Sequence, residues 1–150
     1  MNFYSLLASG FGIGFAPKAP GTFGSLLGLA LGAALLAAGH LPLLFGIVVA
    51  AGLGTYVIGS LAAAQKTTDP GWIVIDEIAG QMIPLLALPH LSLTGLLLSF
   101  ALFRLFDIFK PGPIAWADAR HDEFGIMGDD LIAGALAWFL LLLLHLVLPL

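Results

Sequence analysis

Residues 43–64 read LLFGIVVAAGLGTYVIGSLAAA, an uninterrupted run without Asp, Glu, Lys or Arg. A helix of that length rises about 33 Å at 1.5 Å per residue, enough to cross the hydrocarbon core of a bilayer. Four further apolar stretches lie around it: Phe23 to Ala38, Trp72 to Leu88, Leu91 to Phe109 and Leu131 to Leu148. Pro42, Pro89 and the Asp69-Pro70-Gly71 run separate them, because proline and glycine favour turns and end helices. The expected fold is an all-α integral membrane protein of about five transmembrane helices. Residues Met1 to Ala16 carry Phe3, Leu6, Leu7, Phe11 and Phe15 but are too short to span. A short N-terminal interfacial helix followed by a glycine-rich turn suits them.

Composition supports the membrane reading. The chain has 150 residues, 60% hydrophobic and only 9% charged, against about a quarter charged in soluble domains. With no polar linker or low-complexity run, one domain is expected. A net charge of -4 with scattered basic residues leaves no electrostatic footprint for nucleic acid. The absence of cysteine excludes disulfides, thiolate metal sites and cysteine-nucleophile phosphatase chemistry. The first basic residue is Lys18, so the N-terminus lacks the basic region of a secretory signal and is expected to be retained.

Charge placement predicts an orientation. With a cytoplasmic N-terminus and five crossings, Lys18, Lys66, Arg104, Lys110 and Arg120 all face the cytoplasm, as the positive-inside tendency requires. The acidic residues fall on the same side, whereas the opposite loops at His40 to Pro42 and Pro89 to Ser92 carry no charged residue. Glycines at 24, 28 and 32, and small residues Gly46, Ala50 and Gly54, recur four apart and share helix faces that let helices approach closely in lipid. Packing within one bundle is the preferred reading of these faces over a dimer interface, and the oligomeric state stays open.

Ionisable residues in a membrane helix cost roughly 2.5 to 3.5 kcal/mol each on insertion scales and need a partner or a purpose. Asp76 and Glu77 lie roughly 6 to 8 Å into the third stretch, shallow enough to reach water or a metal. Pro84 removes a hydrogen bond to Gly80 and predicts a kink beyond them. A second pair, Asp129 and Asp130, precedes the last stretch, where either could be a helix N-cap, although capping does not account for both. Four carboxylates gathered at helix ends would repel one another unless cations join them. A hard divalent ion with oxygen ligands, most naturally Mg²⁺, relieves that repulsion, and salt bridging to Arg and Lys is the alternative.

The fourth stretch ends in FRLFDIFKP at 103–111, where Arg104 and Asp107 share a helix face and could simply pair. Arg104 and Lys110 could equally hold phosphate oxygens, Arg by a two-point fork. Before the first span, Lys18 to Ser25 read KAPGTFGS. No Lys follows the second glycine, so this is not a Walker motif. Its hydroxyls and free backbone N–H groups suit either an anion or a turn capped by Thr22 or Ser25. His40, His90 and His145 fall toward the bare side or inside the last helix and cannot join the carboxylates, His121 could join them although a solvated loop position is preferred, and Trp72 and Trp116 serve as interface anchors.

Four ordered segments, APGTFGS at 19–25, DPGWIVIDEIAG at 69–80, FRLFDIFKPGPI at 103–114 and FGIMGDD at 124–130, resemble the bacterial phosphatidylglycerophosphatase A family. The chain departs from that pattern at Arg120-His121-Asp122-Glu123, where a glycine-containing turn is usual. The resemblance implies an inner-membrane enzyme that removes the phosphate of phosphatidylglycerophosphate with Mg²⁺, its active site facing the cytoplasm. On this reading Asp76, Glu77, Asp129 and Asp130 hold the metal, and Arg104, Lys110 and Lys18 neutralise the phosphate. Thr22 and Ser25 donate hydrogen bonds to it, and Asp107 orients Arg104 or acts as general base. Attack by water and a covalent aspartyl-phosphate both stay open. Three other classes fit the sequence less well. An ion-coupled transporter lacks deep or far-side acids. An assembly subunit leaves the acidic and basic clusters without a purpose. A CDP-alcohol phosphotransferase would need a spaced Asp pattern that is absent.

Overall fold

Proline at the first helical position and glycine at the exit set the limits of the first long helix. In the computed structural model, which describes residues 2–65 and 70–147, helix α1 covers Phe3–Ala8 and α2 covers Pro20–Ala38, with Pro20 at its start. Gly39, at φ 124°, is the single residue between α2 and α3 (His40–Gln65), a backbone conformation that a side chain would strain. Next come α4 (Ile75–Met82), a 3-10 turn over Ile83–Ala87, α5 (Leu93–Phe109), α6 (Pro113–Asp118) and α7 (Glu123–His145). Lys66 and Asp69, both placed by the sequence on the cytoplasmic side, lie outside the described residues.

Among the described residues, three helices are long and apolar enough to cross a membrane: Pro20–Ala38, His40–Ala64 and Glu123–His145. Their outward faces expose large apolar side chains such as Phe45, Val48, Tyr56 and Phe139. Helices apolar on the outside as well as the inside need a lipid rather than a water surround. At 17 residues α5 stands at the lower limit of spanning length.

The stretch 72–88 does not form one spanning helix. Its α-helical part has 8 residues and its 3-10 part 5, together about 22 Å long. Pro84 withholds the N–H that would bond to Gly80, and the helix tightens into the 3-10 turn. The far end is held from another element, where the His40 ring pairs with the Leu88 carbonyl at 3.0 Å. All of α4 except Glu77 is buried, so it is the central pillar of the bundle rather than a lipid-facing span.

Glycine seams let the other helices close on this pillar. Gly24, Gly28 and Gly32 of α2 face Val74, Ile78, and Met82 with Leu85. A Cβ on Gly28 would lie 2.6 Å from the carbonyl oxygen of Ile78, so α2 and α4 touch backbone to backbone. The small-residue face thus packs within the bundle. On the opposite side α7 crosses α4 where Gly134 meets the Gly80 carbonyl, and a Cβ on Gly80 would lie 2.6 Å from the Asp130 carbonyl oxygen. The α1 segment closes the cytoplasm-predicted end: Val74 N–H donates to the Ala8 carbonyl at 2.9 Å, and Phe15 stacks on Trp72.

Candidate active site

The α4–α7 crossing determines which carboxylates meet. Asp76 stands four residues before Gly80, and Asp130 four before Gly134. Each is therefore one turn from the contact, about 6 Å along its helix. Asp76, Glu77 and Asp130 each offer an oxygen such that all three lie within 4.8 Å of one another. Asp76 and Asp130 are almost fully buried, and Asp76 Oδ1 accepts the Glu77 N–H at 3.1 Å. Asp76 and Glu77 occupy the first turn of α4, where the helix dipole favours negative charge.

Asp129 points elsewhere. Successive helical residues are about 100° apart, and its Oδ2 accepts from Lys110 Nζ at 2.7 Å. Lys110 ends α5 in a left-handed conformation (φ 45°) and also pairs with Asp118 of α6. Burial alone would lower the pKa of the Lys110 ammonium, but its hydrogen bonds to Asp118 and Asp129 outweigh that and raise it. The same hydrogen bond holds the Asp118 carboxyl below its ordinary value, partly opposed by burial. Arg104 pairs with Asp107 one turn on and donates to Ser25 Oγ at 3.3 Å, while Ser25 donates to the Gly21 carbonyl at 2.8 Å. Gly21 leaves the room for this arrangement, because a Cβ there would run into Glu77 Oε1 and stand 3.4 Å from the Arg104 guanidinium.

Beside Arg104 and Ser25, which do not line it, lies a cleft of about 400 Å³ whose lining includes Asp76, Glu77, Asp107, Lys110, Asp118, Arg120, His121, Asp129 and Asp130. Lys18 is exposed and Thr22 half-buried, and neither lines the cleft. The carboxylates outnumber the cations, and Glu77 Oε2 is buried without a hydrogen-bond partner. Such an oxygen-only, excess-acid donor set fits a hard divalent cation such as Mg²⁺.

The structure corrects the sequence reading of the second acidic pair. Helix α7 begins at Glu123, not Leu131, and its N-cap is Asp122, whose Oδ1 accepts from Gly125 N at 2.7 Å. Asp129 and Asp130 lie well inside the helix and cap nothing. His121, exposed in its loop, and Arg120 both line the cleft, and Arg120 pairs with Asp122 at 2.7 Å. Asp118 was also missed, since nothing in the sequence signals its approach to Lys110. Gln81 is fully buried with neither amide atom bonded, and its sole sequence signal was an amide within an apolar run.

An apolar-surfaced helical bundle with a buried carboxylate cluster beside Arg and Lys defines a membrane protein. Its family follows from comparison: residues 6–145 match the phosphatidylglycerophosphatase A family, and the chain belongs to it. It is 44% identical over 139 residues to phosphatidylglycerophosphatase A of Haemophilus influenzae, covering 91% of this chain and 85% of the relative. It is 39% identical over 140 residues to phosphatidylglycerophosphatase A of Escherichia coli, covering 91% and 80%. A Bacteroides thetaiotaomicron protein provisionally named a phosphatidylinositol-3-phosphatase is 36% identical over 146 residues, covering 91% and 89%. No solved structure matches the chain. The protein is a phosphatase of a bacterial membrane.

Proposed function

We propose that the protein hydrolyses phosphatidylglycerophosphate to phosphatidylglycerol and phosphate, with Mg²⁺, at the cytoplasmic face of the inner membrane. The observation that carries this reading is the meeting of Asp76, Glu77 and Asp130 in one cleft with Lys110, beside Arg104. The relatives' names supply the substrate.

Asp76, Glu77 and Asp130 would hold the Mg²⁺, with Asp129 at the edge of the group. A cation so held neutralises phosphate charge and lowers the pKa of a bound water. Arg104 offers its fork to the phosphate, while Asp107 and Ser25 fix the plane of the guanidinium. Lys110, held between Asp118 and Asp129, places a second positive charge on the cleft wall. Asp107, which lines the cleft, is the candidate to take a proton from attacking water. From α2, Ser25 supports the phosphate site through its hydrogen bond with Arg104. The lipid tails stay among the apolar outer faces.

Five crossings, with α4 and its 3-10 turn counted as the third, keep the N-terminus and the α5–α7 connection on the cytoplasmic side. Ala119 is exposed in that connection, and the native chain has no cysteine. A cysteine at Ala119 should react from the cytoplasmic side only, and labelling solely from outside would invert the topology. The activity is tested by phosphate release from phosphatidylglycerophosphate and from a 3-phosphorylated inositol lipid, with Mg²⁺ or excess chelator. Release of phosphate from phosphatidylglycerophosphate that persists unchanged in chelator would refute the cation site.

A further inference from the structure

Among the described residues, three buried side-chain atoms have no hydrogen-bond partner: Glu77 Oε2 and both amide atoms of Gln81. The two residues are four apart on α4 and share one face of it. A helical side chain leans toward the N-terminus of its helix, over the turn before it. Gln81 therefore leans toward the turn that carries Glu77, and the N-terminal end of α4 is the cleft end. The buried hydroxyls of the neighbouring helices are already committed, Ser25 to the Gly21 carbonyl and Ser99 to the Leu96 carbonyl. An unpaired donor and an unpaired carboxylate acceptor thus stand one helical turn apart on the same face, with no hydrogen bond between them.

We propose that Gln81 is the positioning residue of this site: unbonded in the structure, its amide N–H turns to donate to Glu77 Oε2 when a cation is held, and aims the other carboxylate oxygen toward Asp76 and Asp130. The inference rests on the reading of that trio as a cation site. A neutral amide suits the task because it restrains a carboxylate without neutralising it, leaving the negative charge for the cation. Ligating carboxylates are ordinarily restrained in this way by an outer layer of hydrogen bonds, and loss of such a partner weakens metal affinity by roughly tenfold to a hundredfold. Gln81 has no hydrogen-bond partner in the structure, so its replacement by an apolar side chain of similar size removes buried polar atoms and breaks no bond, and the fold is not expected to weaken.

The test follows thermal unfolding of the full chain in detergent during Mg²⁺ titration, for wild type, Gln81→Met, Gln81→Leu, Glu77→Ala and the Glu77→Ala/Gln81→Met double variant. Cation binding to the folded form raises Tm, so the midpoint of that rise reports affinity without any turnover. Both single Gln81 variants should keep the wild-type Tm in chelator, or exceed it, and need roughly tenfold more Mg²⁺ for the same rise. In the Glu77→Ala background the Gln81→Met shift should fall below about twofold, because the residue it acts through is gone. A wild-type Mg²⁺ midpoint in Gln81→Met and Gln81→Leu, or an undiminished shift without Glu77, would overturn the positioning role and leave the cation site standing. A wild-type protein whose Tm ignores Mg²⁺ would overturn both.

Discussion

Gly80→Ala places the smallest possible perturbation at the α4–α7 crossing and alters no charged side chain. The new Cβ would stand 2.6 Å from the Asp130 carbonyl oxygen and 2.7 Å from a ring carbon of Phe103. An ordinary contact begins near 3.4 Å, so the backbones must part by roughly 0.8 Å, since the near atom is a carbonyl that cannot rotate aside. Overpacking of this kind costs about 1 to 3 kcal/mol, and alanine's better helix propensity returns about 1 kcal/mol. The protein should therefore remain folded with a Tm lower by a few degrees. Asp76 and Asp130 sit one turn from the crossing and separate with it. A misplacement near 1 Å can cost roughly a hundredfold in rate, so turnover should fall by tens-fold to a hundredfold while stability changes little. The assay pairs phosphate release with Tm in the same detergent. Gly52→Ala serves as control, because a Cβ there meets nothing within 4 Å. Gly80→Ala turning over within about twofold of wild type would refute the claim that this crossing sets the carboxylate geometry.

Asp130→Asn should stay folded yet lose most activity, with partial recovery at raised Mg²⁺, whereas Asp122→Ala should lower stability by about 1 kcal/mol through the lost cap and leave the cleft carboxylates in place; parallel Tm and turnover measurements check both. Arg104→Lys should cut kcat/KM by roughly tenfold or more, since an ammonium cannot reproduce a planar fork held by Asp107 and Ser25; wild-type kinetics would reduce Arg104 to an interface anchor. The lowered Asp118 pKa sets a pH dependence: a depressed folded-state value contributes stability above the ordinary carboxylate pKa of about 4 and loses it as pH falls through the folded value. The Tm gap between wild type and Asp118→Asn should be full above about pH 4 and close at lower pH. A gap that stays constant as pH falls would show that Lys110 does not hold that carboxyl down.

Much of the bundle was legible because apolar runs announce themselves. Residues 43–64 fall inside α3, and the glycine period at 24, 28 and 32 marked a real seam. The start of α7 was not legible, since Glu123 to Asp130 mixes glycines with acids and breaks the apolar period by which Leu131 was chosen. Helix α6 was missed for a related reason: Pro111, Gly112 and Pro113 read as a loop, although Pro113 is a sound first helical residue. The acidic residues of the site were visible as costly exceptions in apolar segments. Which of Asp129 and Asp130 faces α4 was not, because neighbouring residues on a helix part by about 100° and only the crossing at Gly134 chooses between them. The enclosure of α4 was equally hidden, as a short buried pillar and a lipid-facing span carry the same apolar composition.

The glycine crossing also bears on how the protein meets bilayers of different thickness. Long apolar helices answer a thicker or thinner membrane by changing tilt, and α2, α3 and α7 are the elements with length to do so. Contact between Gly80 and Gly134 makes a pivot, and the carboxylates stand only about 6 Å from it along each helix. A 5° change in tilt about that point moves them by roughly 0.5 Å, whereas helix ends about 15 Å away travel more than 1 Å. The chemistry sits near the fulcrum, and the lipid-facing ends absorb the swing.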